Sequence, residues 1–499
     1  MLFASEIKGM LPHPNFHRQL NEQRLLTYLC MEYQPDDATL FAGVRKLPAG
    51  HWLLWKDGKV QVRRWFWPHY MPDEQAEVAH NADRIQGVLQ RSVAAHAVAD
   101  VEVGCFLSAG VDSSLVAYET SKIMDAKTFS IGWGEDEERY SELEAARDFA
   151  DAMGLRNFAR TLTAEEFFDS VAAVQYAMDE PLPNPSAVPL YHLCRMAAEQ
   201  VKVVMSGEGA DELFGGYPYY QECLTYEPYM VAPVPLRRAV GAAASLLPVG
   251  TRGRRFLMRG AHPLAERYIR LEYNFPLAEA RALLSPEVAA VQEGIESGGG
   301  SGIFGADTCG VAGRAAGGVG DGEADAAGPF RFVGDIVREA QSRGLDEVTA
   351  MQTADILTWM QQDILLKADK MSMAASLELR VPFLDREVFA VARTLPTEQR
   401  VTKEQTKLAL RKAAARTLPP RTAAMPKKGF LTPLDPWLRE DRWANRVREV
   451  FHSETAQHYF NVPQLDRLLD DHQAGRIHAM KKIWSPYCFI LWHDRFLAR

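Results

Sequence analysis

Two short turns carry side chains whose types and spacing could do chemistry together. The first, "LSAGVDSS" (Leu107 to Ser114), follows the apolar run "VEVGCF" and places three hydroxyls and one aspartate among small residues. A strand ending at Leu107 and a helix starting near Asp112 would set the backbone N–H groups around Gly110 and the hydroxyls of Ser108, Ser113 and Ser114 at a helix N-terminus. Unpaired donors and the helix dipole favour an anion there. The turn lacks the lysine of a GxxxxGK[ST] loop, and its one charge, Asp112, is itself negative. An aspartate beside phosphates makes sense with a divalent cation between them, and hard oxygen ligands suit Mg²⁺. The plain alternative is a loop that only caps a buried helix.

The second turn repeats this logic about a hundred residues later. In "VKVVMSGEGADELFGGY" (Val201 to Tyr217) a strand-like run ends in Ser206-Gly207, and Glu208, Asp211 and Glu212 follow before the Gly215-Gly216 bend. Two carboxylate-bearing turns at neighbouring strand ends would clamp pyrophosphate with metal.

The elements needed to position these turns are legible in the periodicity. Apolar runs "VEVGCFL", "KTFSIGW", "NFARTLT" and "VKVVMSG" alternate with helical stretches such as "NADRIQGVLQRSVAAHA", "SSLVAYETSKIM" and "SELEAARDFADAMG". Strands separated by helical crossovers predict a parallel sheet with ligands beyond the carboxyl ends of its strands. Before them, Met1 to about Pro68 reads as short strands and turns, with a hairpin over Gly50 to Trp67 about Asp57-Gly58. Residues 294–328 break the order: 13 of the 35 are glycine, and large apolar side chains are too few to offset the ordering entropy. That stretch reads as a flexible insertion in a helical C-terminal half. Deleting 296–327 is expected to leave activity and thermal midpoint nearly unchanged, because loop closure entropy grows slowly with length. Loss of folding in that variant would show the stretch to be ordered.

Composition excludes several classes. The 499 residues, with 56 Lys+Arg against 65 Asp+Glu, carry a net charge of −9, unlike a protein whose main partner is a nucleic-acid backbone. No apolar run approaches a membrane span and no signal-peptide layout opens the chain, so the expectation is a cytoplasmic protein with neither nucleic acid nor membrane among its partners. Six cysteines, at 30, 105, 194, 223, 309 and 488, lie scattered without CxxC pairs and are expected to be free.

With both turns in hand, the sequence resembles the PP-loop ATP pyrophosphatases, and within them the synthetase domain of asparagine synthetases. The family's loop is commonly SGGxDSS, so this chain departs at Ala109. Its second signature is close to SGEGxDExFGGY, which Ser206 to Tyr217 matches. Two further blocks fit: "LLKADKMSMAASLELRVPFLD" (Leu365 to Asp385), like the helix and turn closing the site, and "PKKGFLTPLDPWL" (Pro426 to Leu438), like its lysine-bearing loop.

The resemblance implies an α/β fold: a parallel-sheet ATP pyrophosphatase domain over 82–499 with a helical C-terminal part, preceded over 1–75 by the closing portion of an N-terminal-nucleophile-type β-sandwich glutaminase domain. It implies Asp112 and Asp211 as Mg²⁺ ligands. Leu107, Ser108, Gly110, Asp112, Ser113, Ser114, Ile131, Ser206 and Gly207 would form the ATP site. Glu208 would be the general base, Lys370 and Lys427 lysines at the phosphates or adenylate, and Arg380 a ligand for the substrate carboxylate. Met425 stands where many relatives carry arginine, and Lys428 competes with Lys427 for its role. ATP and Mg²⁺ are the implied cofactors, and ATP, aspartate and free or glutamine-derived ammonia the implied substrates. A homodimer or a separate glutaminase piece are the implied partners.

The implied reaction is activation of a carboxylate as its adenylate followed by amide formation, with aspartate to asparagine as the best fit. Relatives acting on sugar acids, peptides or β-lactam precursors, and adenylating tRNA-modifying enzymes, share the chemistry. Leu2 occupies the place where glutamine-dependent relatives expose a nucleophilic cysteine, and Cys30 lies far inside. The chain as given is therefore expected not to hydrolyse glutamine. Apolar faces such as Trp52, Leu53, Leu54, Trp65 and Trp67 are expected to lack cover.

Overall fold

The wholly buried apolar runs Val103–Phe106 and Val203–Met205 form the centre of the main sheet of the computed structural model, because a strand covered on both faces has no solvent side. The model describes residues 1–248, 251–296, 328–427 and 429–498. After the antiparallel hairpin β1 (His51–Lys56) and β2 (Lys59–Arg64) come β3 (Val103–Phe106), β4 (Lys127–Trp133), β5 (Arg156–Leu162), β6 (Val203–Met205) and β7 (Glu378–Arg380). The sheet has the order β5-β4-β3-β6-β7, parallel throughout. β3 and β6 are wholly buried.

The chain moves outward from β3 to β4 and β5, then returns to the other side of β3 with β6. The sheet therefore reverses direction between β3 and β6, and the crevice beyond their carboxyl ends is where such folds bind ligands. Both carboxylate-bearing turns leave these two strands. The loop after β3 feeds the helix Val111–Ser121, and the loop after β6 feeds the short helix Ala210–Phe214.

The hairpin turn at Asp57-Gly58 has both residues left-handed, at φ 51° and 73°. That is the geometry that two-residue hairpin loops favour. Trp52, Leu53, Leu54 and Trp65 are exposed, whereas Trp67 is buried. The guanidinium carbons of Arg64 and Arg343 lie 4.6 and 4.9 Å from its ring centroid.

Two elements differ from the sequence reading. Residues 1–68 are not all strands and turns, since Leu25–Met31 is a helix buried along its full length. A short run apolar on every side has no period to betray it. Its neighbours anchor it to the C-terminal helix Met480–Phe496: the Tyr28 hydroxyl donates to the Ser485 carbonyl at 2.8 Å, and Phe41 meets Trp492 edge-on. The second difference is β7, which lies inside the block read as helix and turn. Its three residues are too short for a strand pattern and are extended because β6 pairs with them.

The glycine-rich stretch 294–328 falls mostly on residues 297–327, outside those described. It is entered from the helix Pro286–Glu296 and left by a 3₁₀ turn at Gly328–Phe330. Cys30, Cys105, Cys194, Cys223 and Cys488 are buried and in no disulfide among the described residues, and Cys309 lies outside them.

Candidate active site

A cavity of about 360 Å³ opens at the carboxyl ends of β3, β4 and β6. Its floor is the first turn. Ala109 is left-handed, at φ 59°, and buried. Gly110 then caps the helix in extended conformation. The Ser113 hydroxyl accepts from the Ser108 N–H at 3.2 Å and donates to the Gly110 carbonyl at 3.2 Å, closing the loop into a cradle. Ser108 lines the cavity beside it, 3.1 Å between hydroxyls.

An alanine in left-handed conformation carries about 1 kcal/mol of strain that glycine lacks. Ala109→Gly is therefore expected to be neutral or to stabilise by up to about 1 kcal/mol, the lost methyl burial offsetting part of the gain. Chemical denaturation checks this, and a clear loss of stability would show that methyl packing dominates.

The second turn presses against the first. A Cβ on Gly207 would lie 2.8 Å from the Ser113 nitrogen and 2.9 Å from the Asp112 carbonyl carbon, so only glycine lets the two loops meet. This approach places Asp112 and Asp211 on one lysine. The Lys407 ammonium lies 2.6 Å from Asp112 Oδ2 and 2.6 Å from Asp211 Oδ1, with a side chain only 1% exposed. Lys407 is itself left-handed, at φ 56°, at the start of the helix Leu408–Ala414. Two strained non-glycine residues thus flank one site, as is common where function fixes the backbone. Lys427 closes the cluster, donating to Asp211 Oδ2 at 2.7 Å.

Electrostatics follow from this packing. Burial alone would push the Asp211 carboxyl up, but Lys407 and Lys427 outweigh it and hold the group well below the carboxylate range. Burial opposes charge on Lys427 as well, and Asp211 and Asp112 reverse it and raise its pKa. Glu208 lines the same cavity, and burial lifts its carboxyl above the ordinary value while Lys367 and Lys427 draw it back.

Glu212, fully buried one residue after Asp211, accepts from the Tyr217 hydroxyl at 2.7 Å. Burial first, then the Asp211 charge, push its carboxyl up to about 8. A folded-state value above the unfolded one means stability is complete below the unfolded pKa and drains as pH rises through about 8. Glu212→Gln, neutral at every pH, is expected to lose less thermal stability than the parent chain between pH 5 and pH 9, by a few degrees in midpoint. Nucleotide-free melting curves at the two pH values test it; parallel losses would contradict the assignment.

The donor set fits a divalent cation shared with a ligand. Asp112 Oδ1 is buried without a hydrogen-bond partner among the described residues, and a lysine ammonium sits between the two carboxylates. Among the described residues no three His, Cys, Asp or Glu side chains group as a metal site. Mg²⁺ held by Asp112 and Asp211 would take its remaining ligands from phosphate oxygens and water.

Leu107, Ser108, Gly110, Asp112, Ser113, Ile131, Ser206, Gly207, Glu208, Asp211 and Lys427 all line the cavity. Three expected residues do not. Ser114 lies behind the cradle, completely buried, with its N–H given to the Gly110 carbonyl. Lys370 lies outside the cavity lining, paired with Asp179 at 2.9 Å and Glu6 at 3.2 Å. Lys367, one turn earlier, takes the place in the cavity and donates to Ser186 Oγ at 3.0 Å.

Arg380 likewise lies outside the cavity lining. As the last residue of β7 it lies beside the C-terminus of the helix Val78–His96 and donates to the carbonyls of His96 and Val98 at 2.6 and 2.8 Å. Those carbonyls, left orphaned at the helix end, take up its guanidinium. Lys428 lies outside the described residues.

Sequence reasoning missed Lys407, Lys367 and Arg411. Arg411 donates to the carbonyls of Ala423 and Met425 and so fixes the segment that delivers Lys427. The available signal was the pair Lys407 and Arg411 four residues apart in "TKLALRK", one helical face carrying two cations.

Comparison with known proteins gives the family. The family model described as asparagine synthase matches residues 84–494, and that described as a glutamine amidotransferase domain matches residues 1–67. A Bacillus subtilis protein named asparagine synthetase [glutamine-hydrolyzing] 1 is 32% identical over 498 residues, covering 99% of this chain and 71% of its own length. A Mycobacterium bovis protein bearing a provisional form of the same name is 35% identical over 97% of this chain and 69% of its own length. A maize protein of that name is similar over a shorter stretch, 29% identical across 38% of this chain and 34% of its own.

Proposed function

Because the chain belongs to the asparagine synthase family, whose members carry out ATP-dependent amidation, we propose that it converts aspartate to asparagine through an acyl-adenylate. The observation that supports this reading is the convergence of Asp112, Asp211, Lys407 and Lys427 beside Glu208 in one crevice. ATP would lie with its adenosine against Leu107, Ile131, Ser206 and Gly207. Its pyrophosphate would rest on the N–H groups and hydroxyls of the cradle at the helix N-terminus. Mg²⁺ bound at Asp112 and Asp211 would neutralise charge on the departing pyrophosphate.

The protein's own groups then divide the work. Lys407 and Lys427 meet negative charge developing at the phosphates. A carboxylate oxygen of the substrate attacks the α-phosphorus and the bond to pyrophosphate breaks. Ammonia attacks the activated carbonyl carbon, AMP leaves, and Glu208 takes the proton from nitrogen. Its raised pKa brings a carboxylate base closer to neutral pH. Lys367, which also lines the cavity, would receive a second carboxylate of the substrate.

The reading keeps residues 1–75 as part of a glutaminase-type β domain and 82–499 as the synthetase domain. Buried free thiols suit the reducing cytoplasm. The deciding experiment is ATP–pyrophosphate exchange with a panel of carboxylates. Aspartate is expected to support exchange at least about tenfold above glutamate, a sugar acid or an N-carboxyalkyl amino acid. Preference for any of those would replace the substrate.

A further inference from the structure

Residues 231–260, none of which lines the nucleotide crevice, contain six arginines and neither aspartate nor glutamate, in a chain whose net charge is −9. They fold into a helical hairpin, Val234–Ser245 followed by Arg254–Gly260. The first helix buries one face through Arg237, Gly241 and Ala244. Gly241 lets it approach its partner so closely that a Cβ there would lie 2.6 Å from the Ala261 methyl. The opposite face is inverted relative to an ordinary surface helix: Leu236, Ala239, Ala242 and Ala243 are exposed. That face runs into Leu246, 87% exposed, and Leu247.

The arginines form two groups. Arg237, Arg254 and Arg259 are tied to Gly260 O, Ser245 O and Glu222. Arg238, Arg252 and Arg255 are exposed, with no carboxylate partner among the described residues.

We propose that this hairpin adsorbs to an anionic phospholipid surface, with Leu246 and Leu247 entering the interface and Arg238, Arg252 and Arg255 meeting headgroup phosphates. Apolar side chains beside unpaired arginines are the composition that interfacial helices require. No helix among the described residues is long and apolar enough to cross a membrane. Lying on a surface needs no such helix, so the expected absence of a membrane partner, argued from missing spans, does not bear on this mode. A two-fold contact between copies through this face would set arginine against arginine. A polynucleotide would meet the charges but leave Leu236, Leu246 and Leu247 in water.

The test is co-sedimentation of the full chain with vesicles of equal parts phosphatidylglycerol and phosphatidylcholine, against phosphatidylcholine alone, at physiological salt. The chain is expected to bind the anionic vesicles and largely ignore the neutral ones. R238E/R252E/R255E should lower partition about a hundredfold and L246S/L247S at least about tenfold. Both variants should keep amide synthesis in free solution, since neither touches the crevice. Equal binding to neutral vesicles, no binding to anionic ones, or unchanged partition in both variants would overturn the proposal. So would a dimer or RNA complex lost in these variants while the parent chain ignores vesicles.

Discussion

Replacing Asp112 or Asp211 by asparagine is expected to lower ATP–pyrophosphate exchange by at least about a hundredfold, which corresponds to some 2.7 kcal/mol of barrier. Asparagine keeps the shape and removes the charge, so the loss measures the carboxylate's electrostatic role. The two variants differ in stability. Asp211 answers both Lys407 and Lys427, whereas Asp112 answers Lys407 alone. Removing Asp211 leaves two ammoniums in poorly solvated positions with one carboxylate between them, a change of the kind that costs about 3–5 kcal/mol. Asp112→Asn should cost less and stay folded, and therefore carries the test. Exchange near the parental rate in a folded Asp112→Asn protein would remove the metal from this reading.

Glu208→Gln separates the two half-reactions. Adenylation removes no proton from nitrogen, so exchange should stay within a few-fold of the parent. Amide formation should fall by about 10²–10⁴, the usual contribution of a positioned general base. The pH profile adds a second readout. Burial raises the Glu208 carboxyl, and a base works only when deprotonated, so amide formation should fail on the acid side at a pH above that of an ordinary glutamate. The acid limb should be absent in the glutamine variant. Equal loss in both half-reactions, with the limb retained, would assign Glu208 to scaffolding.

The strand–turn–helix units around Asp112 and Asp211 were legible because their signals are local. An apolar run, small residues and a helix start within about ten positions specify a backbone that exposes N–H groups. Ala109 stands where the family's loop commonly has glycine, and its backbone is left-handed, at φ 59°. The parallel sheet was legible for the same reason, since a strand buried on both faces writes its environment at every residue. β7 was not, because a three-residue strand is made by its partner.

The cations of the site were decided by tertiary structure. Lys407 reaches Asp112 across 295 positions, and nothing local marks it among the chain's other lysines. Lys370 was singled out by resemblance and Lys367 was not, although the two lie three residues apart. Between Glu347–Leu357 and Leu366–Ala374 the backbone passes through a π-helical turn at Met360–Leu365. Such a turn inserts an extra residue and rotates everything beyond it relative to the regular helical period. Beyond that turn, Lys367 lines the crevice and Lys370 meets Asp179. Sequence alone determined which backbone turns bear carboxylates, because turn geometry is set by the residues in the turn. Which basic side chains answer them was settled only by folding, because compensation of a buried charge depends on distances of a few ångströms between segments that are remote in the chain.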